Sequence, residues 1–225
     1  MENLGAELSH ELQVEKLFSF NIGGFQADIS ESIVVSWIVM GVLIVLAIII
    51  TAGFRVRKLS GRQVLAEGYY NHFYGMVENM LNHESMGYAP YICSVLFFIG
   101  LSNIFGIFGF KPPTKDINVT AALALMSIVL VQVASIRNNG VGGWLKGFGK
   151  NPMNILELFT RPLSLAMRLF GNVLGAFVVM ELIHIVIPVG APAVVSLYFD
   201  IFDGLLQAYV FTFLTSLFIS ETAEE

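Results

Sequence analysis

Five long apolar stretches, separated by shorter polar connections, dominate the pattern of hydrophobic and polar positions along this chain. Three of them predict spans at about residues 32–54, 89–110 and 119–136, and two longer ones follow at about residues 153–187 and 193–220. A helix crosses a bilayer with roughly 17–25 predominantly apolar residues, and each stretch meets that length. The pattern therefore predicts an all-α membrane protein with five transmembrane helices.

A further helix is predicted between the first two spans, at about residues 61–83. Apolar residues recur there near helical spacing, but Glu67, Glu78 and Glu84 make the segment too polar for a span. This mixture is typical of an amphipathic helix that lies in the membrane interface. The glycine-rich stretch at residues 137–152 is predicted as a polar connection between the third and fourth spans.

The last two helices are longer than a membrane requires. The fourth span, of about 35 residues, would measure roughly 52 Å, whereas the hydrocarbon core is about 30 Å thick. It must therefore tilt or bend, and Pro162 near its start can supply a bend. The sequence PVGAP is a turn signal between this helix and the last one. We therefore predict a tilted hairpin that packs as a unit.

Composition places the chain among membrane proteins and argues against several functional classes. It is 56% hydrophobic and 13% charged, with a mean hydropathy of +0.74, whereas soluble domains are about 45–50% apolar and about 25% charged. No basic block is present to bind nucleic-acid phosphates. Cys93 is the single cysteine, and no group of residues has metal-ligand spacing. We therefore expect no nucleic-acid partner, no metal site and no cofactor.

Lysine and arginine are distributed unevenly between the connections. Those after the first and third spans hold seven, namely Arg55, Arg57, Lys58, Arg62, Arg137, Lys146 and Lys150. The other side holds three, namely Lys16, Lys111 and Lys115. The positive-inside rule then places the N-terminus outside and the C-terminus in the cytoplasm. We accordingly expect an acidic extracytoplasmic segment at residues 1–31, a single membrane domain at 32–220 and a cytoplasmic tail at 221–225.

The fourth predicted span carries two arginines, Arg161 and Arg168, at membrane depth. Glu157, Ser164 and Asn172 fall near the same line on a helical wheel, which makes one polar face. An arginine near the bilayer centre costs about 2.5–3.5 kcal/mol on insertion scales, so it normally faces a partner or a water-filled cavity. Glu157 and Arg161 fit a structural network that ties helices together as well as they fit a functional site. Arg168 has no acid one turn away, so its counter-charge must come from elsewhere.

Further polar groups lie on the last two helices. Asp200, Asp203 and Gln207 occur at i, i+3 and i+7, as expected for groups that line a water-filled path or a proton relay. Glu181 and His184 lie toward the far end of the fourth span. Glu181 is about 140° from Arg168 on the wheel, so it need not share that face. His184 fits a relay group or an interfacial histidine, and the second interpretation is favoured.

The segment RPLSLAMRLFGN, at residues 161–172, resembles the signature of subunit a of the bacterial F-type ATP synthase. DINVT, at 116–120, and LQAYVFTFLTSLFIS, at 206–220, resemble two further segments of that family. The resemblance covers about residues 32–220. It implies a non-catalytic stator of the Fo sector, which conducts ions through two aqueous half-channels and couples their flow to ring rotation and ATP synthesis. The implied location is the bacterial inner membrane, and the implied partners are the c-ring, the subunit b peripheral stalk, the remaining ATP synthase subunits, the lipid bilayer, and H⁺ or Na⁺.

The same resemblance implies roles for single residues. Arg168 matches the family's essential arginine, which faces the carboxylate of each passing c subunit and separates the half-channels. Asn172 and Gln207 match amide positions around it, and Asp200 matches a half-channel position. The remaining candidates for ion translocation are Ser164, Glu181, His184 and Asp203, and those for a helix network are Glu157, Arg161 and Asn118.

One position departs from the family pattern, and two other function classes stay open. Many bacterial relatives have a glutamate nine residues after the arginine, where this chain has Phe177, and Glu181 is the candidate replacement. A stand-alone transporter or anion channel would use Arg168 as the substrate's counter-charge, but no convincing inverted repeat supports it. An intramembrane enzyme needs a nucleophile–base pair or metal ligands, for which the sequence offers no candidates.

Overall fold

The computed structural model describes residues 16–22, 25–52, 61–81, 83–108, 112–150, 152–186 and 195–224. Within these ranges the chain forms a membrane domain of α-helices, preceded by a β-hairpin. The helices are α1 (Glu31–Thr51), α2 (Gly61–Glu78), α3 (Ala89–Ile104), α4 (Ile117–Lys150), α5 (Pro152–Val186) and α6 (Gly204–Glu224). Shorter pieces are the 3₁₀ turns His83–Tyr88, Phe105–Phe108 and Pro113–Lys115, and the π-helix Leu197–Asp203.

Five segments of the described chain are long and apolar enough to cross a membrane, which confirms the predicted class of all-α membrane protein. They are Glu31–Thr51, Ser85–Ile107, Ile117–Leu145, Met153–Met180 and Leu197–Thr222. α2 is not among them. It buries Val77 and the polar Gln63, and it exposes His72 together with Val64 and Tyr69, so polar and apolar residues occur on both faces. The predicted span ends at residues 53–54, 109–110, 187 and 193–194 lie outside the described residues.

Two features differ from the pattern-based prediction. The N-terminal part was expected only as an acidic segment, but β1 (Lys16–Ile22) and β2 (Phe25–Ser30) pair antiparallel there. The stretch at 137–152 was expected as a loop, but α4 continues as helix through it to Lys150, with one kink. The kink is at Gly140, whose φ of 69° lies in the left-handed region that glycine adopts without steric cost. Beyond it, Trp144 Nε1 donates to Gln132 Oε1 at 2.9 Å, so the chain folds back there.

The core lies where α3, α4, α5 and α6 meet. Residues from all four helices form one buried cluster, which includes Ile99, Leu123, Leu165, Leu169 and Phe211. On α5 the buried positions Leu165 and Leu169 are one turn apart, as a helix with one packed face requires. α1 instead buries only its first half, and Ile44, Ile48 and their neighbours are exposed, as expected for a surface that meets lipid. The core therefore fixes which face of α5 points away from the bundle.

One end of the bundle is tied by three consecutive residues, Thr114, Lys115 and Asp116, which we call the Thr114 turn. Thr114 Oγ1 donates to Oδ1 of Asn103 on α3 at 3.1 Å. Lys115 Nζ lies 3.3 Å from the centre of the Phe177 ring on α5. Asp116 Oδ2 accepts from Ser30 Oγ, just before α1, at 3.2 Å. A single short turn therefore contacts α3, α5 and the start of α1.

Candidate functional site

Arg168 lies near the middle of the membrane-length part of α5. It is 15 residues after Met153 and 12 residues before Met180, the ends of that span. Its side chain is exposed, and no carboxylate of the described residues forms an ion pair with it. Leu165 and Leu169 of the same helix lie in the core, about 60° and about 100° from Arg168 around the helix axis. The packing therefore turns a guanidinium with no ion-pair partner among the described residues away from the core.

The surface around Arg168 is open. Ser164, Gly171 and Gly175 are exposed on the same side of α5, about one or two turns from the arginine. A Cβ atom added at Gly171 or Gly175 would meet no heavy atom within 4 Å. Small residues on a membrane helix let another helix approach closely. Asn172, predicted beside Arg168, is only partly buried.

Arg161 occupies a different environment from Arg168, although both lie on α5. Its Nη2 atom forms an ion pair with Glu157 on the same helix and another with Glu221 Oε2 at 3.0 Å. The guanidinium carbon also lies 4.7 Å from the centre of the Phe218 ring. Both Phe218 and Glu221 belong to α6, so Arg161 connects the two last helices. Of the two arginines, Arg161 is therefore the one whose charge is matched within the chain.

Glu221 was not singled out from the sequence. It was assigned to a cytoplasmic tail at residues 221–225, whereas α6 continues to Glu224 and brings its carboxylate to Arg161. A helix pattern gives the face of each residue but not which face of a distant helix it meets. The contact could therefore not be read from spacing along the chain.

Asp200 and Asp203 lie on the π-helix Leu197–Asp203, which leads into α6. The predicted α-helical spacing of Asp200, Asp203 and Gln207 is wrong before Gly204, because a π-helix closes i→i+5 hydrogen bonds. Both aspartates are partly exposed, whereas Gln207 is buried at 5% exposure. Within the described part of the chain, Gln207 Nε2 has no hydrogen-bond partner.

The π-helix rests against the end of α3. Asn103 Nδ2 donates to the carbonyl oxygen of Gly204 at 3.0 Å, and Asn103 Oδ1 accepts from Thr114. The carboxyl group of Asp200 lies over Gly106, where an added Cβ would come within 2.9 Å of Oδ1. Asn103, Thr114 and Gly106 were not predicted as site residues. The contact of Asn103 with Gly204 joins residues 101 apart and that of Gly106 with Asp200 joins residues 94 apart, whereas Thr114 and Asn103 are 11 apart.

The position that departs from the family pattern, Phe177, has the ammonium group of Lys115 over its ring. An aromatic face attracts a cation through its quadrupole, so the ring supplies a weak partner for this charge. Asn118, assigned to a helix network, donates from both its backbone and side-chain nitrogens to Asp116 Oδ1, at 2.9 and 3.0 Å. Asp116 thereby caps the start of α4.

Two candidates lie where only the backbone is described. Glu181 and His184 are on α5, but their side chains fall outside the described residues. Within the described part of the chain, no group of three or more His, Cys, Asp or Glu side chains is placed to hold a metal ion. The described candidates therefore form two groups: Arg168 with its open face on α5, and the polar groups on the π-helix and the start of α6.

Comparison with known proteins gives one consistent result. The sequence profile of the ATP synthase A chain family matches residues 33–220. ATP synthase subunit a of Moorella thermoacetica is 36% identical over 202 residues, which cover 85% of this chain and 90% of that protein. ATP synthase subunit a 2 of Bradyrhizobium sp. is 31% identical over 210 residues, covering 89% and 91%. A protein of Propionigenium modestum, ATP synthase subunit a, sodium ion specific, is 28% identical over 238 residues, covering 95% and 80%.

Proposed function

The chain belongs to the ATP synthase A chain family, and from this premise we propose that it is the ion-translocating stator subunit of a rotary ATP synthase. In this role it lies in a bacterial inner membrane beside a ring of c subunits and contacts a subunit b stalk. It has no catalytic site of its own, because ATP chemistry takes place elsewhere in the complex. Its work is to pass H⁺ or Na⁺ to and from the ring carboxylates so that ion flow turns the ring.

The exposed guanidinium of Arg168, which pairs with no described carboxylate, is the observation that carries this proposal. A charge at this depth is costly unless it meets a partner or water, and none of the described carboxylates pairs with it. The exposed Gly171 and Gly175 leave room for another helix beside it. A passing helix that carries one carboxylate accounts for both observations, because it can lie against the open face of α5 and can supply the negative charge that pairs with Arg168.

The charge of Arg168 explains how an ion is released from a ring carboxylate. An opposite charge favours the ionised form of a carboxylate, so an arriving ring carboxylate beside Arg168 releases its ion. A unit pair about 4 Å apart is worth roughly 4 kcal/mol at an effective dielectric constant of 20. That energy holds the carboxylate ionised while it passes Arg168 and still lets the ring move on. Arginine suits this role because it stays charged at every relevant pH, whereas a buried lysine readily loses its proton.

Arg168 also keeps the two half-channels separate. A fixed positive charge opposes any cation that moves directly from one half-channel to the other. An ion must then travel with the ring for nearly a full turn before it leaves. Each elementary charge that crosses gains about 2.3 kcal/mol per 100 mV of membrane potential, and this drives the rotation.

One half-channel is proposed to run along the polar groups of the π-helix and the start of α6. Asp200 and Asp203 are partly exposed there, and Gln207 follows with an amide that has no partner among the described residues. Glu181 and His184 are proposed to serve the same route from α5, because Phe177, with Lys115 over its ring, is at the position where many relatives have a glutamate. Ser164 and Asn172 complete the surroundings of Arg168. By the positive-inside rule the N-terminus lies outside, which puts the Thr114 turn and the π-helix at the outer end.

The experiment compares two arginine variants in the assembled ATP synthase. Arg168→Met removes the charge and keeps much of the side-chain volume, and Arg161→Met is the matched control on the same helix. The readouts are complex assembly, ATP synthesis and ATP-driven ion pumping in membrane vesicles, assayed with H⁺ and with Na⁺. We expect Arg168→Met to abolish both activities in an assembled complex and to allow a passive ion leak, whereas Arg161→Met keeps most activity. Coupled activity near the normal level in Arg168→Met would contradict the proposed function.

A further inference from the structure

The end of α3 and the last helix approach each other at three successive points. Gly100 lies against Leu205, where an added Cβ would be 3.4 Å from Cδ2. Three residues later, Asn103 lies so close to Gly204 that a Cβ added to Gly204 would be 2.6 Å from the Asn103 Cβ. After three more residues, Gly106 lies under the carboxyl group of Asp200, and a Cβ added to Gly106 would be 2.9 Å from Oδ1 of Asp200. The two elements are antiparallel, and the contact continues from α6 into the π-helix.

A buried chain of hydrogen bonds crosses the middle of this contact. Thr114 Oγ1 donates to Asn103 Oδ1 at 3.1 Å, and Asn103 Nδ2 donates to the carbonyl oxygen of Gly204 at 3.0 Å. Asn103 is 4% exposed and Thr114 is fully buried. A buried polar group costs free energy when it lacks a partner. The Asn103 side chain is therefore stable here only while Thr114 and the Gly204 carbonyl stay in place.

The Gly204 carbonyl marks the point where the π-helix ends and α6 begins. π-turns are rare, and they occur often at functional sites. The position of this junction decides the rotation of every residue before it, including Asp200 and Asp203. A donor that holds the junction carbonyl, together with a glycine that admits the donor, therefore fixes where the two carboxylates stand.

We infer that Thr114 and Asn103 are positioning residues, which hold the π-helix in register and so set the place of Asp200 and Asp203 in the half-channel. This inference rests on the proposed function, since it assigns a task to residues behind the translocation path. Neither residue transfers an ion. Each acts through the Gly204 carbonyl, and the Thr114 turn anchors this hydrogen-bond chain at the same end of the bundle.

The first test compares three substitutions at residue 114 in the assembled ATP synthase. Thr114→Val replaces the hydroxyl by a methyl group of similar size, Thr114→Ala removes it without adding apolar volume, and Thr114→Ser keeps the donor. We expect Val and Ala to lower ATP-driven ion pumping per assembled complex roughly fivefold, the factor that corresponds to one net buried hydrogen bond. Thr114→Ser should restore pumping to near the normal rate. Equal pumping by all three variants would overturn the inference.

The second test measures the position of the π-helix without using ion flow. Cysteines replace Gly106 and Asp200, which are in contact, in a chain whose Cys93 is replaced by serine, and disulfide formation is followed after addition of an oxidant. We expect rapid cross-linking when residue 114 is threonine or serine, and cross-linking slowed roughly fivefold when it is alanine. The same cross-linking rate with alanine would overturn the inference even if pumping were reduced.

A third comparison separates close packing from hydrogen bonding. Gly204→Ala places a Cβ against Asn103, and the second change Asn103→Gly removes that clash without restoring a donor. We expect the double variant to assemble but to pump as slowly as Thr114→Ala, and pumping at the normal rate would show that only packing matters. Failure of the inference is distinguishable from failure of the proposed function, because the latter appears as normal coupled activity in Arg168→Met.

Discussion

Replacing Arg161 by methionine tests whether the two arginines of α5 have separate tasks. The substitution removes the ion pairs to Glu157 and Glu221 and the contact with the Phe218 ring. It keeps much of the aliphatic packing, so the measured effect reports mainly on the charge. We therefore expect a stability loss with little effect on the working charge at Arg168.

The magnitude follows from the exposure of the three charged side chains. Arg161 is 22% exposed, and its partners Glu157 and Glu221 are 42% and 47% exposed. Half-exposed ion pairs contribute roughly 0.2–1 kcal/mol each because solvent screens them, and a cation on an aromatic face contributes about 0.5–1 kcal/mol. The whole contact is therefore worth about 1–3 kcal/mol. For a chain of this size that corresponds to a fall of about 2–12 °C in melting temperature.

The assay is thermal denaturation of the purified complex in detergent, followed through this subunit, beside ATP-driven ion pumping at a temperature well below the transition. Glu221→Gln should give a smaller loss of stability, and the double variant should lose less than the sum of the two single losses, because the two residues interact. Pumping per assembled complex should change less than twofold. If Arg161→Met abolished pumping in a complex of normal stability, the working charge would be at Arg161 and the reasoning from ion pairs would be refuted.

Two further predictions concern the faces of α5. Leu169→Ala removes a fully buried side chain from the core and should destabilise the fold by about 2–5 kcal/mol. The control Leu163→Ala, at a site 63% exposed, should leave the melting temperature nearly unchanged. Equal losses of stability in the two variants would contradict the assigned orientation of α5. Gly171→Leu should leave the subunit folded, because the site is open, but should reduce pumping strongly by blocking the approach of the ring. Gly41→Leu on the exposed face of α1 is the matched control, and an equal effect of the two leucines would refute a ring-facing surface at Gly171.

The predicted elements and the observed ones agree best where the signal is local. The fourth helix was placed at residues 153–187, and α5 runs over Pro152–Val186. A long run of apolar residues is enough to predict a span, since the bilayer imposes its length and leaves the backbone no other way to form its hydrogen bonds. The helix at α2 was predicted for the same kind of reason, because its apolar residues recur near helical spacing.

The elements that were not predicted differ in the range of their contacts. The β-hairpin pairs two neighbouring segments, β1 and β2, and beyond Gly140 the bond from Trp144 to Gln132 spans 12 residues, whereas the π-helix contacts a distant segment. The π-helix is accompanied by a bond from Asn103 to Gly204, 101 residues away. A period counted along the chain carries no information about such a partner.

The candidate site divides in the same way. The sequence by itself determined that Arg168 lies at membrane depth without an acid one turn away, because the length of the span and the helical period fix both facts. It left Arg161 open between a structural and a functional interpretation. Only the tertiary structure decided that Arg161 meets Glu221 while Arg168 meets no described carboxylate. The physical reason is that the sequence of a helix sets the direction of each side chain around the helix axis. Packing against α3, α4 and α6 then decides which side of α5 meets a charged residue and which side is exposed.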